Sequence, residues 1–319
     1  MRPIYNERSW AIEVITCLNQ LLTWKRRIIR RAGGEHGVSV GEHRPRLFPD
    51  VLLFGSPDSG QVLQGWELKM PDTPITDPDL IKNAELKARL LGLNSFLVWN
   101  VAEAVLYVQE HGTFVPKKAW APVPGVTRDE VESRRTEWEA FLGELIDVLN
   151  DFLDNGIIRP KSAPDILGLY GLADMLLSNT EAVAQALRDR ARVDGRLNAE
   201  TRVWWASSKA EFVPETDRWR ALAKVNIVHW FNKLIFAHYL KRFRYEARVV
   251  DKISKVSTPR DALDVFLELS RSCDFAHVFS APMGSDVLDP VTWARIQELN
   301  GFLGDLRLES VDQAVLHEL

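Results

Sequence analysis

Residues 47–69 read LFPDVLLFGSPDSGQVLQGWELK. Two apolar runs, LFPDVLLF and QVLQGWELK, flank a segment at 55–60 rich in Gly, Ser, Pro and Asp, the pattern of two strands joined by a tight turn. Three charged residues, Asp50, Glu67 and Lys69, interrupt strands that otherwise read as buried. Each buried ion costs on the order of several kcal/mol unless it is paired or metal-bound. In a hairpin, Asp50 near the start of one strand and Glu67 near the end of the other emerge at the same end. Glu67 and Lys69 are two residues apart and point to the same face. Two oxygen donors and one cation therefore share a small volume, which suits a hard divalent cation such as magnesium. The competing reading makes Asp50 a turn residue and Glu67 with Lys69 a surface pair on an edge strand.

Pro49 and Asp50, then Glu67, Leu68 and Lys69, with sixteen residues between the two acids, resemble the signature of the PD-(D/E)XK nuclease superfamily. The resemblance implies an α/β restriction-endonuclease-like domain, a mixed central sheet flanked by helices, that hydrolyses phosphodiester bonds of double-stranded DNA. It implies Mg2+, or Mn2+ in its place, held by Asp50, Glu67 and the Leu68 carbonyl, with Lys69 assisting the attacking water. Relatives carry a further acid on the helix before the sheet, here Glu7, and a polar residue on the helix after the Glu-x-Lys strand, a place matched by Asn83 and Lys87.

A chain of 319 residues exceeds what one core organises and implies two domains. With 46% hydrophobic and 26% charged residues it reads as globular rather than disordered. A net charge of -4 does not by itself announce nucleic-acid binding, so any DNA contact must come from a local basic patch. Cys17 and Cys273 stand far apart without metal-ligand spacing, which excludes a disulfide framework or zinc site and fits a reducing cytoplasm. The opening MRPIYNERSW lacks the apolar core of a signal peptide, and no membrane association is expected.

From 6 to 24 the periodicity is helical, with Ala11, Val14, Ile15, Leu18, Leu21 and Leu22 on one face. Glu7 shares that face and is either part of the site or a favourable charge at the helix N-terminus; Glu13 lies on the opposite, solvated side. Lys25, Arg26, Arg27, Arg30 and Arg31 put five positive charges into seven residues, with Arg44 and Arg46 following. They form a candidate DNA-phosphate contact, to which Lys87 is added, or else a solvated face. Glu35 is a weaker candidate for the metal. A helix capped by Asp79, with Ile81, Ala84, Ala88 and Leu91 buried, precedes two strands at 95–100 and 104–109. Trp66 and Trp99 are assigned to the core in preference to base stacking.

The first domain is expected at 1–122 and an all-α helical domain at 123–319. Thr127 and Glu130 form a capping box for a helix running to 154, closed by Gly156. Further helices are expected at 164–178, 180–193, 221–249, 259–272 and 290–303. Lys241, Arg242, Arg244 and Arg248 fall near the end of the longest, as favourable charges there or as a second backbone contact. Its segment NKLIFAHYLKRF is similar to the helical connector between nuclease and methyltransferase in single-chain type IIG restriction-modification enzymes. No methyltransferase motif, phosphate-binding loop or His-Glu-x-x-His occurs. The terminal VDQAVLHEL reads as a helix cut mid-course. The expectation is therefore a restriction-modification or phage-defence nuclease whose methyltransferase is a further domain or a separate subunit.

Overall fold

Val51–Phe54 (β2) and Val62–Leu68 (β3) pair antiparallel, with Val51 opposite Trp66 and Leu53 opposite Gln64. This hairpin sits inside a six-stranded sheet ordered β1 to β6 along the chain, described by a computed structural model covering residues 5–34, 48–213 and 215–313. Arg31–Gly34 (β1) adds to β2, while Ser95–Trp99 (β4), Ala104–Glu110 (β5) and Thr113–Trp120 (β6) extend the other side. All neighbours are antiparallel except β3 and β4, which run parallel. Parallel neighbours need a crossover, and Pro78–Leu90 (α2) supplies it. The sheet is therefore mixed.

Alternation along β2 and β3 sorts the residues. Val51, Leu53, Trp66 and Leu68 face the main core, where Glu7–Trp24 (α1) and Arg135–Asp154 (α3) pack. Four tryptophans occupy its centre: Trp10 lies 4.8 Å from Trp99, and Trp66 and Trp138 stand 6.4 and 6.5 Å from Trp99. Trp66 and Trp99 are fully buried, as their core assignment requires. Residues of the opposite parity, Asp50 and Glu67 among them, face the side covered by α2.

Several expectations are corrected. Strands β1 and β6 carried no alternation to reveal them: β1 is Arg-Ala-Gly-Gly, and β6 carries Pro116, Lys117 and Lys118, residues suited to an exposed edge. The cap of α2 is Asp77, not Asp79; its carboxylate accepts from the Asp79 and Leu80 N–H groups, because Pro78 fills the first helical position. Leu80 rather than Ile81 is buried on that helix. The Thr127–Glu130 box closes a single 3-10 turn, and α3 begins only at Arg135.

The chain divides into two compact units, 5–34 with 48–170 and 310–313, and 171–213 with 215–309. The division falls after α3 rather than at 122, because Trp138, Leu142, Leu145, Ile146 and Leu149 of α3 complete the core of the sheet. The second unit is helical: Ala173–Val193 (α4), Gly195–Ser208 (α5), Arg218–Leu240 (α6), Pro259–Cys273 (α7), Ala276–Phe279 (α8) and Pro290–Leu306 (α9). No break occurs at 178–180, where the Thr180 hydroxyl donates back to the Leu176 carbonyl inside α4. Helix α5, unanticipated, is capped by Asp194. Helix α6 stops at Leu240, so Lys241, Arg242, Arg244 and Arg248 lie beyond it, in turns and a 3-10 segment. Among the described residues no helix is long and apolar enough to cross a membrane.

Candidate metal centre

Two glycines set the position of Asp50. A Cβ at Gly65 would stand 2.4 Å from Pro49 Cγ, so only glycine lets the proline ring lie on β3. A Cβ at Gly34 would stand 2.5 Å from the Asp50 carbonyl oxygen, and Gly34 has φ +118°, a conformation that favours glycine. Wedged between β1 and β3, Asp50 is 3% exposed, and its Oδ2 accepts the Leu68 backbone N–H at 2.9 Å. In extended backbone the N–H and C=O of one residue project to the same side, so the Leu68 carbonyl is directed toward the Asp50 strand.

Glu67 stands one position beyond the Val51–Trp66 pair, on the same face as Asp50 and 2% exposed. Lys87 of α2 donates to both its oxygens, at 2.7 and 2.9 Å, and Asn83 donates to Oε2 at 3.2 Å. Burial pushes the Glu67 carboxyl well above the usual range; the Lys87 charge opposes that shift and the nearby Asp50 charge adds to it. Lys69 follows on the same face, less buried, and donates to Glu7 Oε1 at 2.6 Å. Burial pulls its ammonium down, but the carboxylates of Asp50, Glu7 and Glu67 outweigh this and carry it above the ordinary lysine range. Lys69 is thus a fixed cation at neutral pH, suited to donate a hydrogen bond and not to accept a proton.

The structure thereby brings Asp50, Glu67, Leu68, Lys69 and Glu7 together, with Glu7 bonded to Lys69. The donors are hard oxygens, two carboxylates and a carbonyl, the set that magnesium takes when water and phosphate oxygens complete its shell. Among the described residues no group of three or more His, Cys, Asp or Glu is arranged to hold a metal, so the candidate is a two-carboxylate site.

Other expected residues lie elsewhere. Lys87, grouped with the DNA-phosphate contacts, is 3% exposed and committed to Glu67. Arg27 pairs with Asp151 and Asp154 of α3, Lys25 pairs with Asp147, and the Arg31 guanidinium stands over the Phe54 ring at 4.4 Å. Arg26 and Arg30 remain exposed. Arg31 pairs with Phe54 and Gly34 with Val51, so the basic run lies at the end of β1 away from Asp50, about 10 Å along the strand. Glu13 accepts from the Tyr5 hydroxyl and pairs with Arg135, and is not simply solvated. Glu35, Arg44 and Arg46 lie outside the described residues. Asn83 and Lys87 do reach the Glu67 carboxylate from α2, the place the resemblance assigned them, whereas the DNA-phosphate role also expected of Lys87 does not fit its burial.

No protein-family profile and no curated protein matches the chain. Among solved structures, that of the type IIG restriction endonuclease BpuSI aligns at 13% identity with a TM-score of 0.30, over 94% of this chain and 30% of that one. The chain thus spans less than a third of that protein's length. The site rests on the geometry above and not on that alignment.

Proposed function

We propose that the chain is a metal-dependent DNA endonuclease of a restriction or phage-defence system, with its first unit a PD-(D/E)XK-type domain. The observation that carries this reading is the facing of Asp50 and Glu67 across β2 and β3, with the Lys69 ammonium beside them and held by Glu7. Asp50, Glu67 and the Leu68 carbonyl would hold Mg2+ or Mn2+, which supplies polarisation of the phosphoryl oxygens and acidification of a bound water. Lys69 donates toward that water or toward the charge developing at phosphorus, and Glu7 fixes its direction. A methyltransferase domain or subunit is the proposed companion. Supercoiled plasmid with Mg2+ tests the reading: the protein nicks it, and Asp50→Ala and Lys69→Ala do not. Nicking that persists in both variants excludes this site.

One observation favours a second reading, a DNA-binding or assembly module that does not cut alone: both Glu67 oxygens are already engaged by Lys87. Salt-dependent DNA binding without cleavage in Mg2+ or Mn2+ selects it.

A further inference from the structure

Lys87 and Glu67 form a buried, doubly bonded ion pair inside the candidate metal centre. Each side chain is 3% exposed, and Nζ lies 2.7 Å from Oε1 and 2.9 Å from Oε2. A carboxylate has about four lone-pair positions. Lys87 and Asn83 supply three contacts to them, so little of Glu67 is left for a divalent ion. Asp50, by comparison, accepts the Leu68 N–H on one oxygen, Oδ2. Lys69, the other ammonium here, bonds Glu7 instead of Glu67.

We propose that Lys87 is the resident cation of this centre, a positioning residue whose ammonium holds the place on Glu67 that the divalent ion takes, so that metal binding exchanges ion for ammonium. This rests on the metal reading given above and adds to it a control on affinity. Its four-carbon stem on α2 lets the ammonium swing off Glu67, giving up its hydrogen bonds to the carboxylate while no covalent bond is made or broken. While no metal is bound, the carboxylate stays oriented on β3. The metal must compete for it, so affinity is held below what two carboxylates would otherwise give.

The test is calorimetric titration of the full chain with Mg2+, without DNA, at pH 8.5 to keep proton competition for Glu67 low. Exchange predicts that Lys87→Met binds Mg2+ at least ~10-fold more tightly than the unsubstituted protein. Lys87→Arg, which keeps the charge, stays near the unsubstituted value, and Asp50→Ala loses binding. Equal or weaker Mg2+ binding by Lys87→Met, with binding still abolished by Asp50→Ala, overturns the exchange and leaves the metal centre standing. No Mg2+ binding by any of the proteins overturns both. If Lys87→Met does not fold, crystals of the unsubstituted protein soaked in Mn2+ decide the matter. Mn2+ on Glu67 with Lys87 displaced from at least one oxygen supports exchange, and Mn2+ there with both Lys87 contacts intact overturns it.

Discussion

Asp50 Oδ2 accepts the Leu68 backbone N–H at 2.9 Å, so one buried carboxylate both closes the open end of the β2–β3 pair and faces the proposed metal. Substitution separates these roles. Asp50→Asn keeps an oxygen acceptor for Leu68 and removes the charge, and should cost no more than ~1 kcal/mol of stability. Its Mg2+-dependent nicking should fall by ~100-fold or more, the scale seen when one preorganised electrostatic group is lost. Asp50→Ala should lose activity and a further ~1–3 kcal/mol, because the buried N–H is left without an acceptor. Urea melts and nicking rates on the same preparations check both, and an Asn variant that cuts at the original rate removes Asp50 from the chemistry.

Removing one partner of the buried Lys87–Glu67 pair leaves the other uncompensated. At pH 8, Lys87→Met should lose roughly 3–5 kcal/mol. Burial already raises the Glu67 carboxyl above its unfolded value, so the folded state holds on to a proton that the unfolded chain releases as pH rises. The penalty should therefore shrink as pH falls from 8 toward 5 and the carboxyl is neutralised. Glu67→Gln combined with Lys87→Met should recover most of the loss at every pH. A penalty independent of pH means that something other than the stranded carboxylate causes it.

What the sequence made legible follows from the strength of each local pattern. The hairpin at 47–69 was readable because uninterrupted apolar runs end at a Gly-rich turn, and three charges stood out against them. Helices α7 and α9 announced themselves through Thr258-Pro259 and Asp289-Pro290, which cap them as expected. Strand β1 was hidden in a basic run, because four residues without a β-branched side chain show no period. The partners of Arg27 were not readable either. Asp151 and Asp154 lie over a hundred residues from Arg27, and only the packing of α3 on the sheet brings them together. For Lys87 the sequence supported two places, the site-facing position it shares with Asn83 and a DNA-phosphate contact, and only the packing of α2 on the Glu67 face decides between them.

The basic run should divide by its pairing. Arg26 and Arg30 are exposed, whereas Arg27 is taken up by Asp151 and Asp154. If the run meets DNA, replacing Arg26 and Arg30 together by Ala should weaken binding and lower the slope of log K against log salt by about 2, one phosphate for each. Arg27→Ala should leave the slope unchanged and cost under ~1 kcal/mol of stability, since both its ion pairs are more than a third exposed and solvent-screened. Fluorescence anisotropy on a short duplex between about 50 and 200 mM salt measures the slope. An unchanged slope in the double variant assigns the run to solvent.

His238 of α6 is fully buried between two partners that fix its protonation. Its Nε2 lies 3.0 Å from Asn300 Oδ1, and Asn300 spends its own N–H groups on the Val250 carbonyl and the Ser254 hydroxyl. The Lys241 ammonium, itself paired with Asp251, donates to Nδ1 at 3.0 Å. The neutral ring with its proton on Nε2 satisfies every group, and a second proton on Nδ1 would face the ammonium. Burial, with the Lys241 charge added, therefore holds His238 well below the usual histidine range. The unfolded chain takes up a proton near pH 6.5 and the folded one does not, so the unfolded state binds more protons as the pH falls below that value. This contribution is fully present above pH 6.5 and is lost on acidification, by up to ~1.4 kcal/mol per pH unit for one proton. His238→Gln should be less stable at pH 7.5 and should flatten the dependence between pH 6 and 5 by close to one proton. Urea unfolding of the second unit's helices followed by circular dichroism reads that slope, and an identical slope in both proteins shows that His238 is not the group that titrates.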